Sequence, residues 1–191
     1  MMFKKWLVIC SAALMMLLLT PASGSAQTGE AGDWGVGVSL GAPLSVTGKY
    51  YLSETTAVDA HIGAIPFISE GFHGSMVIAG SYLMEFFEIV DARDFRLHFY
   101  GGVGGTLFFN AGGIRAYDPF YEAMVRFYQF GVGARFPGGL GLALKEQPLE
   151  IHLELSPTAA ILFPDPSLNA QGINFGAYLF NLALGVRYFF D

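Results

Sequence analysis

Apolar residues alternate with small or polar ones at a period of two in eight stretches of this chain, and that pattern limits the fold more than any other feature. In Trp34–Gly41, Trp34, Val36, Val38 and Leu40 fall on one face and Gly35, Gly37, Ser39 and Gly41 on the other. The same rhythm runs through 44–52, 57–65, 75–87, 96–109, 125–144, 149–160 and 176–190. Eight strands are therefore expected, with Pro137 and the glycines after it predicting a bulge in the sixth. The connections alternate in length. Those at 53–56, 91–94 and 145–148 are short, and those at 66–74, 110–124 and 164–173 are longer. The first connection, 41–43, is short where the alternation asks for a loop.

The two faces differ in kind. Val46, Tyr50 and Leu52 oppose Ser45, Thr47 and Lys49; Leu149, Ile151, Leu153 and Leu155 oppose Glu150, His152 and Glu154; Leu182, Leu184, Val186, Tyr188 and Phe190 oppose Asn181, Ala183, Gly185, Arg187 and Phe189. One face is a nearly charge-free apolar band. The other mixes Gly, Ala and Ser with Lys49, Asp59, His61, Glu85, His98, Arg135, His152, Glu154 and Arg187. A barrel in water would carry many charges on its outer side and an apolar lining. Sparse charges among glycines suit a narrow lumen packed with side chains, which an eight-stranded barrel has. The apolar band then faces lipid. Aromatic residues gather at the strand ends: Trp34, Tyr50, Tyr51, Phe86, Phe87, Tyr188, Phe189 and Phe190 at one end, Phe108, Phe109, Phe127 and Tyr128 at the other. Two aromatic girdles around an apolar band fit a bilayer.

The N-terminus agrees. Lys4 and Lys5 precede the apolar run 7–20, and small residues close the segment at Ala26. Residues 1–26 read as a cleavable signal peptide, 27–33 as a short flexible lead-in and 34–190 as the barrel. Without 1–26 the chain loses Lys4, Lys5 and its one cysteine, Cys10, leaving 8 basic residues against 16 acidic ones. An exported chain with no cysteine has no disulfide framework and no thiolate zinc site. At 53% hydrophobic and 14% charged it is not a disordered chain, and its net charge of −6 offers no nucleic-acid footprint. No stretch after the leader is an uninterrupted apolar run long enough for a membrane helix.

Several stretches carry a family resemblance. They are 47–52 (Thr-Gly-Lys-Tyr-Tyr-Leu) with Ala57, Val58 and Asp59 after a polar turn, 80–83, the glycine-rich 100–105, 148–157 (Pro-Leu-Glu-Ile-His-Leu-Glu-Leu-Ser-Pro), and 185–189. With them the chain resembles the small eight-stranded outer-membrane barrels of the OmpA/OmpX class, and more closely the outer-membrane β-barrel family that includes the Borrelia BAPKO-type proteins. The resemblance implies an all-β, eight-stranded antiparallel transmembrane β-barrel in a bacterial outer membrane, and no established activity. It also implies that Tyr188 and Phe190 form a C-terminal assembly signal for the barrel-assembly machinery, although Asp191 follows where such strands end in Phe. Thr106 stands where members of the family carry Arg, which thins the interior charge.

The strongest constellation is Lys49, Asp59, Glu85, Arg135, Glu154 and Arg187. Three bases and three acids on inward positions pair, because an unpaired buried charge is costly. Such a set acts either as a plug that holds strand register or as a narrow ion path. His73-Gly74-Ser75 resembles the His-x-Ser pair of barrel lipid A deacylases, but Met76 stands where an Asn usually follows, and a loop histidine beside a strand-start serine is the simpler reading. The four histidines, at 61, 73, 98 and 152, have no metal-ligand spacing, so no metal and no cofactor are expected. Gly101 to Gly105 lie inside a strand and form no phosphate loop. Arg115, Tyr117, Asp118, Phe120, Tyr121 and Glu122 sit on the longest loop, as girdle residues or as contacts for a surface partner. The expected function is non-enzymatic, with no catalytic residue: a monomeric barrel among outer-membrane lipids that supports envelope integrity or loop-mediated binding. A lipid A or phospholipid-modifying enzyme and a small gated pore are the alternatives.

Overall fold

The computed structural model describes residues 29–41, 43–64, 76–109, 116–118, 123–125, 130–163 and 174–190. Every regular element among them is a strand: β1 Trp34–Gly41, β2 Leu44–Ser53, β3 Thr56–Ala64, β4 Met76–Asp91, β5 Phe95–Phe109, β6 Ala116–Asp118, β7 Ala123–Val125, β8 Phe130–Arg135, β9 Gly138–Leu144, β10 Leu149–Phe163 and β11 Asn174–Phe190. Nine of them form one antiparallel sheet in the order β11-β1-β2-β3-β4-β5-β8-β10-β9, with β10 also paired to β11 and β9 to β5. The sheet therefore closes on itself, and every stave of the ring has a neighbour on each side.

β8 and β9 share one place in that ring, since both lie between β5 and β10. The barrel has eight staves built from nine strands. The predicted bulge at Pro137 is absent: Arg135 faces Gly104 and Gly138 faces Gly101 with two residues between them on each strand, so the register runs through unshifted. Proline only removes one ladder donor, while its carbonyl still accepts from Gly102 N (2.8 Å) and Phe136 N still donates to Pro157 O (2.9 Å). The sixth predicted stretch also begins too early. Val125 belongs to β7, which pairs with β6 as a separate small hairpin inside the predicted loop 110–124.

Alternation sets the two surfaces. Leu40, Val46, Ile62, Leu182 and Leu184 point outward and are each more than half exposed, whereas Arg187 and Glu150 point inward and are fully buried. Outside, Trp34 stacks on Phe190 at 4.6 Å and Tyr188 meets Phe190 at 4.9 Å. At the other end Phe130 packs between Phe109 (5.4 Å) and Phe163 (5.8 Å). Tyr51, Phe108 and Phe189 leave the predicted girdles, because strand parity turns all three into the lumen, where they are buried. Within the lead-in, residues 29–33 are turned and hydrogen-bonded. The predicted leader 1–26, Phe127, Tyr128, His73, Ser75 and most of the long loops fall outside the described residues.

A lumen this narrow holds large side chains most readily where one of the two opposed neighbours is small. The register provides that. Arg187 faces Gly37 and Phe189 faces Gly35; His98 and His152 both face Gly141; Tyr100 and Glu154 both face Gly139; Arg135 faces Gly104. At Gly141 an added Cβ overlaps the ring of His98, whose atoms are its three nearest neighbours. His98 is fully buried and has nowhere to move. We expect Gly141→Ala to cost about 1–3 kcal/mol, as overpacking does. Adding His98→Ala should recover most of it, because the His98 ring makes no hydrogen bond that would be lost. Urea unfolding of the refolded single and double variants measures this, and additive losses in the double variant would refute the steric reading.

Candidate functional site: the charged lumen

All six predicted charged residues point into the barrel. The register brings them together in three linked groups. β2 carries Thr47, Lys49 and Tyr51 inward at every second position. Lys49 Nζ donates to Glu150 Oε2 (2.8 Å) and to the Tyr51 hydroxyl (2.7 Å), and Tyr51 in turn donates to Glu85 Oε1 (2.9 Å). The same ammonium lies 4.4 Å from the Tyr51 ring centroid. Arg96 joins this group, 3.3 Å from both Glu85 Oε2 and Glu88 Oε1.

The second group centres on Arg187 of β11. Its Nη1 donates to Glu150 Oε1 at 3.0 Å, and Nη2 and Nε both reach Thr47 Oγ1, at 2.9 and 3.2 Å. Asp59 Oδ2 lies 3.7 Å from Arg187 Nη2 and 2.8 Å from His61 Nε2, and His61 Nδ1 is 3.4 Å from Ser45 Oγ. In the third group Arg135 pairs with Glu154 and donates through Nε to Ser156 Oγ (3.1 Å). Ser156 donates to Glu154 Oε1 (2.8 Å), and Tyr100 to Glu154 Oε2 (3.3 Å).

Glu150 joins the first two groups, although it is absent from the charged set expected from sequence. Its signal is present there, because it shares the inward parity of His152 and Glu154 on β10. With Glu150 and Arg96 added, the described inward side chains carry four cations (Lys49, Arg96, Arg135, Arg187) against four anions (Asp59, Glu85, Glu150, Glu154). Tyr51 and Tyr100 are further network members that the expected set of charged residues lacks; Tyr51, near a strand end, reads as girdle until parity is applied. The histidines behave differently from one another. His61 is bound to Asp59, whereas His98 lies 3.3 Å from Glu85 without a hydrogen bond and His152 has no bonded ring nitrogen.

At the end of the lumen beside Pro43 a small polar well, walled by Ser39, Ser45, Thr106 and Asn181, reaches down to His61, Arg135 and Glu154. It holds about 20 Å³ of free space, room for one or two waters. Asp59, His61 and Glu154 offer three ligand atoms within 4.8 Å of one another. Carboxylate and imidazole donors suit zinc. Here, though, Arg135 neutralises Glu154 and Arg187 sits against Asp59, so a divalent ion would add uncompensated positive charge to a buried, balanced set. The arrangement is that of a charge-paired filling rather than a metal centre. His73 and Ser75 lie outside the described residues, and among the described residues Ser45 Oγ lies 3.4 Å from His61 Nδ1, with both side chains buried in the lumen.

Fold and lumen together define a closed antiparallel β-barrel of eight staves with a charged, salt-bridged interior and an apolar exterior. No protein-family model matches the chain, and no curated protein sequence matches it. Among solved structures it is similar to the N-terminal β-barrel domain of OprF from Pseudomonas aeruginosa, with 11% identity, a TM-score of 0.49, and coverage of 83% of this chain and 96% of that one. That overlay is loose, and the fold rests on the closed ladder of this chain itself.

Removing one partner of a buried pair costs more than the pair is worth, because a desolvated charge is stranded. Glu150→Ala removes the short ion pair of both Lys49 and Arg187, leaving them only the longer contacts to Glu85 (4.0 Å) and Asp59 (3.7 Å), and should cost about 3–5 kcal/mol. Glu85→Ala should cost less, since Lys49 keeps Glu150 and Arg96 keeps Glu88. Urea unfolding of the two variants gives the ranking. Equal losses would show that Glu150 is not the hub.

Proposed function

We propose that this protein is a bacterial outer-membrane β-barrel with a closed lumen and a non-enzymatic role in envelope structure or surface contact. The observation that carries the reading is the inside-out distribution of polarity. Leu40, Val46, Ile62, Leu182 and Leu184 are 52–62% exposed on the outside, while Lys49, Asp59, Glu150, Glu154 and Arg187 are no more than 5% exposed within. An apolar belt of that extent is unfit for water and suited to lipid. A closed ladder is also what a bilayer demands of strands, since an open edge would leave unpaired backbone groups in hydrocarbon. Aromatic clusters at both ends of the belt favour the same placement.

On this reading the short turns after β2, β4 and β9 face the periplasm and the long connections face outward, where they offer the surface for a partner. Residues 1–26 supply export, Tyr188 and Phe190 on the last strand supply the signal for barrel assembly, and the protein is a monomer among lipids. A charge-balanced filling in which Lys49, Arg96, Arg135 and Arg187 each lie against a carboxylate supports a plug over an ion path.

The first test is electrophoresis of the outer-membrane fraction, boiled and unboiled. A folded barrel should stay intact in cold detergent and run at a different apparent mass until heated. Recovery as a soluble periplasmic protein with no heat-dependent shift would overturn the reading. Two further measurements separate the rivals: planar-bilayer recordings should be silent, and lipid A mass spectra should be the same with and without the protein. Steady unitary conductance would replace the plug by a pore, and a changed acylation pattern would replace it by an enzyme.

A further inference from the structure

The segment just before β1 does not run away from the barrel. Gly32 N donates to Tyr51 O (2.9 Å) and Tyr51 N to Asp33 O (2.9 Å), which prolongs the pairing of β1 with β2. The chain then folds back on itself. Asp33 N donates to Glu30 O (3.2 Å), and the Asp33 carboxylate accepts from the amides of Gly29 (3.2 Å) and Glu30 (3.0 Å). Gly29 has φ +109°, which a residue with a side chain rarely adopts.

This turn brings Gly29 against Arg96 and the Tyr51 ring: a Cβ placed on Gly29 would stand 2.7 Å from Arg96 Nη2. Gly29 is itself buried. Arg96 belongs to β5, four staves from β1 in either direction around the ring. A segment that continues one stave and touches a side chain rooted on the opposite stave crosses the mouth between them. Beneath it Tyr51, Ala57, Leu83, Tyr100 and Phe189 fill the lumen as one buried cluster. Arg96 is held in place by Glu85 and Glu88, both at 3.3 Å.

The geometry points to residues 29–33 as a strap that closes the lumen at its short-turn end, latched by Asp33 and seated on Arg96. Its release exposes the Lys49–Tyr51–Glu85 group to solvent at that mouth and leaves the ring of strands intact. The inference does not depend on where the barrel resides, so its failure and that of the membrane reading are separate results.

The test uses the refolded full chain with Cys10→Ser. Spin labels at Glu30→Cys and at Glu146→Cys on the turn between β9 and β10, both exposed, should give one narrow distance distribution. Asp33→Ala, and independently Gly29→Ala, should broaden it while the β-sheet circular dichroism is unchanged. In a second chain carrying Ala57→Cys, a small water-soluble thiol reagent should react on the order of tenfold faster when Asp33→Ala is added, the factor expected from two lost hydrogen bonds of ordinary strength. A broad distribution with Asp33 and Gly29 in place would overturn the strap. A labelling rate of the Ala57→Cys chain indifferent to Asp33→Ala would overturn its role as a closure.

Discussion

Space inside the ring is the constraint on which everything else depends. Eight staves leave a lumen only as wide as the side chains that fill it. Antiparallel register puts directly opposed residues about 5 Å apart at Cβ. A large inward residue is easier to fit at that separation where at least one of its two opposed neighbours is small, as Arg187 has Gly37 on β1 against Glu150 on β10 and Lys49 has Gly35 on β1 against Asp59 on β3. The chain meets this by placing glycine across from its bulkiest inward groups, so that Gly141 serves both His98 and His152 and Gly139 serves both Tyr100 and Glu154. The glycines that make the sequence look weakly strand-forming are therefore what lets the barrel be filled. They also tie register to chemistry: a slip of one residue turns the inward set outward.

Once the lumen is full of polar groups, its stability turns on complete pairing. A half-satisfied buried network is worse than an apolar one, because stranded charges lose hydration without a partner. Glu150 illustrates how few groups this takes. One carboxylate receives Lys49 on one oxygen and Arg187 on the other, joining β2, β10 and β11 across the ring. Arg187 then reaches Thr47 and lies against Asp59, so β3 is drawn in as well. These links tie together staves that do not neighbour each other in the ladder, which the backbone hydrogen bonds alone cannot do. The outside contributes little to such specificity, since its aliphatic side chains are largely exposed.

Much of the architecture is legible in the alternation. The first stretch coincides with β1, and the others lie within a few residues of the strand ends except where Val125 is drawn into the barrel. Inward and outward faces follow from parity wherever a polar residue marks one of them. The expectations that fail do so where residue type outweighs parity. Tyr51 and Phe189 look like girdle residues because aromatics gather at strand ends, yet Lys49 and Arg187, two residues before each, already mark those positions as inward. Pro137 suggests a bulge because proline disrupts ladders, but a missing donor need not insert a residue. Glu150 does not stand out as a hub because its importance comes from two partners that are distant in sequence. Pairing across the ring is a three-dimensional fact, and periodicity carries no trace of it.

The end of the barrel with the short turns shows how local exceptions support one another. β4 runs to Asp91, whereas β3 begins at Thr56 opposite Met84, so the last residues of β4 have β5 on one side and no partner stave on the other. An exposed edge of this kind invites pairing with a foreign strand. The register of β4 against β5 shifts twice along this stretch, after Glu85 and after Glu88, and Glu88 and Asp91 place charge on it. Bulges and charges both spoil an edge as a template. The same overhang supplies Glu85 and Glu88, which hold Arg96 where Gly29 meets it from the opposite stave. The feature that guards the edge against wrong partners thus also builds the seat on which the N-terminal segment rests. Edge protection and closure of the mouth are two consequences of one extended hairpin.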